Sequence, residues 1–498
     1  MLREPDQSDI ESLHRAAGDG GPRGVAARYV SEPRDRYLGR AATVLAPAST
    51  AAVAEVIREA RARQIGIVPY AGGTGLVGGQ VSLAGPLPAV LSLERMDRIR
   101  SVSAPDNALV AEAGVILADV QSAAAAAGRL FPLSLAAEGS ARIGGNLATN
   151  AGGVQVLRYG NARELCLGVE AVLPDGSVHH GLKLLRKDNM GYDLRHLLIG
   201  SEGTLGVITA AALKLFPRPA ETVTAMVAVP HPAAAVGLLG RLRDRLGDGI
   251  SAFELVAGQG LAFLAEHFEG WSDPLSGGPT WRVLLEVGAP PETDLANRTE
   301  AALAEAFEDG LATDGAIAAS IAQAREMWWI RETIPEANRK VGAIAYHDMS
   351  VPISRIPDFI SAGERLVSEI QQGLRINCFG HIGDGNLHYN IFPPEGATKA
   401  DFVHLRERVT GALHEQVHRF GGSISAEHGI GRAKTGDLQR FGDPAKLAVM
   451  RSIKAALDPV GIMNPGALFG EWAAAVSGSG PAVEAGPGSE AADGTNVG

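Results

Sequence analysis

Cysteine is nearly absent: Cys166 and Cys378 are the two thiols in 498 residues, far apart and each inside an apolar run. That leaves no disulfide framework, and no histidine neighbour at a spacing that suggests a thiolate nucleophile. Buried free thiols in a reducing compartment are the expectation. Positive charge is also short. The 45 Lys and Arg against 56 Asp and Glu give a formal charge of −11, with no basic stripe, which argues against a nucleic-acid partner. No stretch approaches the roughly eighteen uninterrupted apolar residues of a membrane helix. The opening MLREPDQSDIESLH is acidic and lacks an apolar core. It reads as neither a secretory signal nor an Arg-rich transit peptide, so the expected location is cytoplasmic.

The composition, 46% hydrophobic and 20% charged, is that of a folded chain. Its length exceeds one ordinary domain, so two or three are expected. From Thr43 to Asp97 the pattern is strand (Thr43–Pro47), helix capped by Ser49-Thr50 and running to Arg63, strand (Ile65–Tyr70), loop, and strand (Ala89–Leu93). Further strands are read at Ala108–Ala111 and Val169–Leu173, the latter closing in the turn Pro174-Asp-Gly176. The run Gly206–Phe216 ends at Pro217-Arg-Pro219, a domain boundary. From about 220 to 422, longer helices (Ala233–Leu246, Asp294–Phe307, Ile356–Glu369) alternate with strands (Trp281–Val287, Arg375–Phe379). That texture predicts an α+β domain around an antiparallel sheet. A motif-rich segment, 423–472, contains the helix Pro444–Leu457, and the Ala/Gly/Ser/Glu/Pro tail, 473–498, is expected to be disordered.

Glycine is abundant, 62 residues, and it clusters. Tyr70-Ala-Gly-Gly-Thr-Gly-Leu-Val-Gly-Gly79 follows a strand, and Gly73, Gly75 and Gly78 satisfy G-x-G-x-x-G. A Rossmann site would need a helix immediately afterwards, and GQVSLAGPLP carries no helical stripe. The loop reads instead as a nest of converging N–H groups, to which Thr74 adds a hydroxyl. Two more clusters, Gly139–Gly153 and Gly200–Gly206, have the same character. Three such loops suit a long, extended cofactor better than a single phosphate.

The segment Ile376–Ile391 reads as a hairpin about the two-residue turn Asp384-Gly385. That register places Gly383 opposite Asn386, Ile382 opposite Leu387 and His381 opposite His388, with Asn390 on the same face as the two imidazoles. Such a pair can bind a divalent metal given another ligand, for which Glu427 in Ser425-Ala-Glu-His-Gly429 is the candidate. On the hairpin alone, two hydrogen-bonded structural histidines are the simpler reading.

The motifs PYAGGTGLVGG, IGGNLATNAGG, RKDNMGYDL, IGSEGTLGVIT, GHIGDGNLHYN, SAEHGIGR and LDPVGIMNP occur in an order that resembles the FAD-linked oxidases of the vanillyl-alcohol oxidase type. Within that group, residues 43–469 are similar to the D-2-hydroxyglutarate and D-lactate dehydrogenases. The resemblance implies a two-part FAD-binding domain (1–219), an α+β substrate or cap domain around an antiparallel sheet (220–422) and a C-terminal segment completing the active site (423–472). It implies FAD held by Pro69, Gly72, Gly73, Thr74, Gly75, Gly78 and Gly79, and by Gly139, Ser140, Gly144, Asn146, Thr149, Asn150 and Gly153, with Gly203, Gly206, Ile208 and Asn464 closing around it. No His or Cys lies in the Pro69–Gly79 loop, so the flavin is expected to be non-covalent.

The resemblance also reverses the order of readings for the hairpin. It assigns His381, His388 and Glu427 to zinc or a similar ion, His428 to the catalytic base and Arg331 to the substrate carboxylate, which guanidinium binds bidentately. Without it, an arginine on a helix is more often a surface residue. Tyr346 stands where relatives that accept dicarboxylates carry Lys, and Pro335 where some carry Thr. Tyr346 and Asn390 remain candidate substrate contacts. The implied reaction is oxidation of a D-2-hydroxy acid to its 2-oxo acid by hydride transfer to flavin, the metal polarising the hydroxyl. An electron-transfer flavoprotein, a quinone or a cytochrome would take the electrons, and a homodimer is compatible with the sequence. A glycolate-oxidase flavin subunit, an ether-lipid-synthase-like flavoprotein and a non-catalytic flavin binder are the rival readings. The intact His381, His388, Glu427 and His428 set argues against the last two.

Overall fold

The computed structural model describes residues 1–18, 24–34, 36–275 and 281–470; the tail expected to be disordered lies outside the described residues. Among the described residues three larger sheets organise the chain, beside a two-stranded one of Arg129–Leu130 and Phe216–Pro217. Parallel strands Thr43–Leu45, Ala89–Ser92 and Ile67–Tyr70 form the first, with Ala89–Ser92 central. The helix Thr50–Arg63 covers it, started by the Ser49 hydroxyl accepting from Ala52 N and stopped by Gln64 in a left-handed conformation. The Ile65 amide is drawn into this helix end by Ala60 O (2.9 Å), so the next strand begins at Ile67 and not Ile65. Residues 71–88 contain no helix, in keeping with the rejection of a Rossmann unit.

The second sheet is antiparallel, in the order Ile99–Ser103, Ala108–Glu112, Val207–Lys214, Cys166–Val172, Val178–His180. Within the second glycine cluster, Ile143–Ala148 forms a short helix that sequence patterning does not reveal. Both cysteines are free and buried, and burial pushes the Cys166 thiol up to about 12.

The third sheet, seven antiparallel strands, builds the second half of the molecule in the order Asp314–Ile317, Glu221–Val229, Trp281–Ala289, Ile250–Ala257, Arg375–Gly380, Asn386–Phe392, Asp348–Ser350. Successive side chains alternate between its faces. Val223, Ala225, Val227 and Val229, with Phe253, Leu255, Leu387, Tyr389 and Ile391, pack under the helices Pro232–Leu246, Leu295–Glu308, Ile356–Ile370 and Arg406–Arg419. Met226, Ala228, Val256, Leu284, Phe379 and Phe392 face the helices Gly258–His267 and Ile321–Val341. It is this second face that carries the polar site.

After Gly422 the chain returns to the first half. Asp443 caps the helix Pro444–Leu457, and the buried Asp458 carboxylate ends it by accepting from the amides of Gly461, Ile462 and Met463. The following residues add to the free edge of the parallel sheet, with Ile67 N donating to Ile462 O (2.8 Å) and Asn464 N to Ile67 O (2.8 Å).

Candidate active site

The predicted hairpin register is incorrect. His388 pairs with Phe379, Tyr389 with Cys378 and Asn390 with Asn377, so His381, Ile382 and Gly383 lie in the connection, not opposite His388, Leu387 and Asn386. The two-residue Asp384-Gly385 turn gives way to a longer loop because His381 O gathers the amides of Asp384, Gly385 and Asn386 (3.1, 3.1 and 3.2 Å). The slip is two residues, and a shift of two leaves every side chain on its face. His381, His388 and Asn390 therefore still share the polar face, and the two imidazole rings lie 5.6 Å apart.

The same parity brings in residues that sequence reading missed. Leu255 pairs with Gly380, and continuing that register sets Glu254 opposite His381. Glu254 is fully buried. Its Oε1 is 2.7 Å from His381 Nδ1, and its Oε2 accepts from Arg331 Nε at 2.9 Å. A signal existed: a lone carboxylate in the apolar run Ile250–Ala257 must find a cation. Arg331 reaches it from the helix Ile321–Val341 and is itself only 5% exposed, so it is no surface arginine. Burial opposes ionisation of Glu254, but His381 and Arg331 outweigh it and hold the carboxyl at about 2. Burial likewise opposes a charged His381, yet Glu254 and then Glu427 raise it to about 9.

Asp348, on the strand paired with Asn386–Phe392, is the second missed carboxylate. Its Oδ2 accepts from the backbone amides of Glu427 (3.0 Å) and His428 (2.9 Å), and Oδ1 accepts from Asn386 Nδ2 (2.9 Å). Ser350 and Ser423 exchange backbone hydrogen bonds just beyond it. This clamp swings residues 423–428 onto the sheet, and Glu427 arrives 3.7 Å from His381 Nε2. Gly153 N donates to Glu427 Oε1 (2.7 Å), linking the site to the second glycine cluster. Burial pushes Glu427 up to about 7, against the pull of His381. His428 Nδ1 lies 3.4 Å from Asp348 Oδ2. Burial lowers its ring to about 4, with Asp348 acting the other way, so it is neutral at pH 7 with Nε2 not engaged by that carboxylate.

One ligand atom each from His381, His388 and Glu427 can be chosen so that all lie within 4.8 Å of one another, a spacing a single cation can span. The Glu254 hydrogen bond fixes the His381 proton on Nδ1 and turns Nε2 inward, the arrangement a metal-binding imidazole needs. Asp348, Glu427 and His428 form an overlapping trio, but Asp348 already spends its oxygens on amides.

The predicted flavin loops also converge. A Cβ on Gly72 would sit 2.5 Å from Ser140 O, so the first two loops touch backbone to backbone and only glycine fits there. Asn146, 5% exposed, leaves its Oδ1 without a partner among the described residues, as a ligand-facing amide would. Thr149 and Asn150 bond within the protein, to Gly145 O and Arg163 N. Gly203 packs on Pro69, beside Glu202, and Gly206 packs instead on Val172 O and Leu198. Asn464 Nδ2 donates to Gly79 O (3.0 Å) and Glu202 O (2.7 Å) while its Oδ1 accepts from Arg432 (2.8 Å). Asn464 thus ties the loops, with both of its amide hydrogens committed to backbone carbonyls. Ile208 is a buried strand residue behind the loop. Two ties went unread: Arg432, which also donates to Gly78 O and Gly79 O, and Glu202, which accepts from the amides of Ile430 and Gly431. Asn390 accepts from His347 N, and Tyr346, partly buried beside these residues, lies beneath Arg34.

Architecture and converging loops together fit a flavin-binding enzyme, and comparison with known proteins agrees. The "FAD binding domain" family matches residues 41–181 and "FAD linked oxidases, C-terminal domain" matches 218–468. The chain belongs to the FAD-linked oxidases. A protein from Xanthomonas citri pv. viticola named D-2-hydroxyglutarate dehydrogenase is 38% identical, over 89% of this chain and 94% of that protein. A mitochondrial protein of the same name from Arabidopsis thaliana is 36% identical, over 86% and 75%. Among solved structures, p-cresol methylhydroxylase covers 94% of this chain and 99% of its own at TM-score 0.72 and 15% identity. The 4-ethylphenol oxidase from Gulosibacter chungangensis covers 95% and 99% at 0.72 and 18%. At such identities the likeness is one of fold, and it is the vanillyl-alcohol oxidase type expected from the motifs. Among the described residues no helix is long and apolar enough to cross a membrane.

Proposed function

We propose that the chain oxidises a D-2-hydroxy acid, such as D-2-hydroxyglutarate or D-lactate, to the 2-oxo acid, with FAD bound non-covalently and a divalent ion, zinc or similar, on His381, His388 and Glu427. The observation that carries this reading is the convergence of those three side chains with His428 and Arg331 at one face of the sheet, joined to a flavin loop through Gly153. Relatives named for D-2-hydroxyglutarate oxidation favour the same substrate class.

FAD supplies the two-electron acceptor for the substrate Cα hydrogen. A bound divalent ion supplies the fall in hydroxyl pKa that a carboxylate or imidazole alone cannot. The chain's own residues do the rest. His428, neutral and braced by Asp348, accepts the hydroxyl proton at Nε2. Arg331 offers the substrate carboxylate the guanidinium edge that Glu254 leaves free. Asn390 and Tyr346 complete the wall. The division at about residues 219 and 422, a cytoplasmic location and an external acceptor (electron-transfer flavoprotein, quinone or cytochrome) belong to this reading. Anaerobic mixing with a panel of D- and L-2-hydroxy acids tests it. The D-acids bleach the flavin band near about 450 nm and the L-acids do not; a flavin that no hydroxy acid reduces ends the proposal.

A further inference from the structure

A cation at the edge of this site has no assigned work. Arg34 follows the buried Glu32, whose Oε2 accepts from Arg34 N (3.1 Å) and Arg36 N (3.2 Å) and so anchors the backbone on both. The neighbouring Arg36 is committed, donating to Leu76 O (2.6 Å) in the first glycine loop and standing 3.6 Å from Glu32. The Arg34 guanidinium is different. It sits over the Tyr346 ring, 4.9 Å from its centroid, and among the described residues it forms no ion pair. Asp348 and His428 are both near enough to exchange electrostatic influence with it. Asp348 does not satisfy it, being held by two amides and Asn386.

A guanidinium stacked on an aromatic face keeps its in-plane N–H groups free for a carboxylate. Its backbone anchor also limits the entropy lost when it binds. The main site already accounts for one carboxylate and one hydroxyl of the substrate, through Arg331, His428 and the metal-ligand trio. Tyr346 contributes no charge of its own, so a second negative group on the substrate would otherwise meet only a phenol.

We propose that Arg34 is a specificity-determining residue: carried on Tyr346, it binds the second, distal carboxylate of a 2-hydroxy acid and so favours dicarboxylates over monocarboxylates. This rests on the function proposed above. It places charge recognition on an N-terminal residue, outside the sheet that carries the chemistry.

The test uses full-length holoenzyme and compares kcat/KM for D-2-hydroxyglutarate and D-lactate in wild type, Arg34→Gln, Arg34→Lys and Tyr346→Leu. Wild type prefers the dicarboxylate. Arg34→Gln lowers the dicarboxylate-to-lactate ratio by roughly 10- to 150-fold, the value of a charge-assisted hydrogen bond, and does so through KM. Arg34→Lys restores part of the ratio, and Tyr346→Leu, which removes the platform and keeps the cation, lowers it less than Arg34→Gln. A wild type that reduces its flavin with D-lactate but shows no preference for the dicarboxylate overturns the assignment while leaving the proposed function standing. So does an Arg34→Gln variant that loses both substrates equally. A wild type that neither acid reduces removes the underlying function instead.

Discussion

Glu254→Gln is the perturbation that most sharply separates a working site from a decorative cluster. Glu254 is fully buried, and its two oxygens are shared between Arg331 and His381. Holding this carboxyl at about 2 instead of 4.5 corresponds to about 3 kcal/mol of native-state stabilisation. Removing one partner of a buried pair costs about 3–5 kcal/mol by general experience, because the other charge is stranded. Spread over a unit of this size, that loss lowers Tm by roughly 6–20 °C. The glutamine, with one neutral acceptor in place of two charged ones to divide between Arg331 and His381, also holds the Nδ1 proton of His381 less firmly, which weakens metal affinity by about 10- to 100-fold. The sign with pH follows: because the folded pKa is depressed, the contribution is fully present above about 4.5 and is lost as pH falls towards 2. Thermal melts of apoprotein and holoenzyme at pH 7 and pH 4, with chelator competition for the metal, read all three effects. Arg331→Met on the Glu254→Gln background recovers much of the stability but not the activity, since no buried charge is then stranded. A single variant that melts within about 2 °C of wild type at pH 7 would refute the argument.

Replacing His428 by Gln lowers kcat by roughly 100- to 10,000-fold with flavin content unchanged, measured by anaerobic reduction and by the absorbance ratio of the purified protein. Asp348→Asn leaves the carbonyl but not the charge, so it misaligns Glu427 and His428 together; metal content and kcat should fall in the same variant, and loss of kcat alone would contradict the clamp. With His381 near 9 and Glu427 near 7 in the metal-free protein, metal binding at pH 7 releases protons, and affinity climbs between pH 6 and pH 9. Calorimetry in buffers of different ionisation enthalpy checks this, and a pH-independent affinity would count against it. Asn464→Ala cuts the ties to Gly79 O, Glu202 O and Arg432 at once, so FAD dissociates faster on dilution while the apoprotein's secondary structure is retained.

Much of the molecule was legible from residue order. Ser49 starts its helix through a local hydrogen bond that needs no tertiary context. The glycine clusters read as loops that leave room for a ligand, and the structure brings two of them together where Gly72 meets Ser140 O. The hairpin shows where local reasoning stops. Asp384-Gly385 is a good two-residue turn, yet the carbonyl of His381 collects three amides and lengthens the loop. The face of each histidine was still legible because strand side chains alternate with period two.

The sequence by itself determined the residue types of the site, the parity that puts His381, His388 and Asn390 on one side of a sheet, and the absence of an N-terminal helix after the first glycine loop. Only the tertiary structure decided that Glu254 and Asp348 belong with them, that Arg331 is already half neutralised, and that Arg34 arrives from about three hundred residues away to lie on Tyr346. The reason is physical. Turns and alternation are governed by neighbours along the chain, whereas a buried carboxylate's partners are chosen by whichever strands and helices the packing of two sheet faces brings within hydrogen-bonding distance.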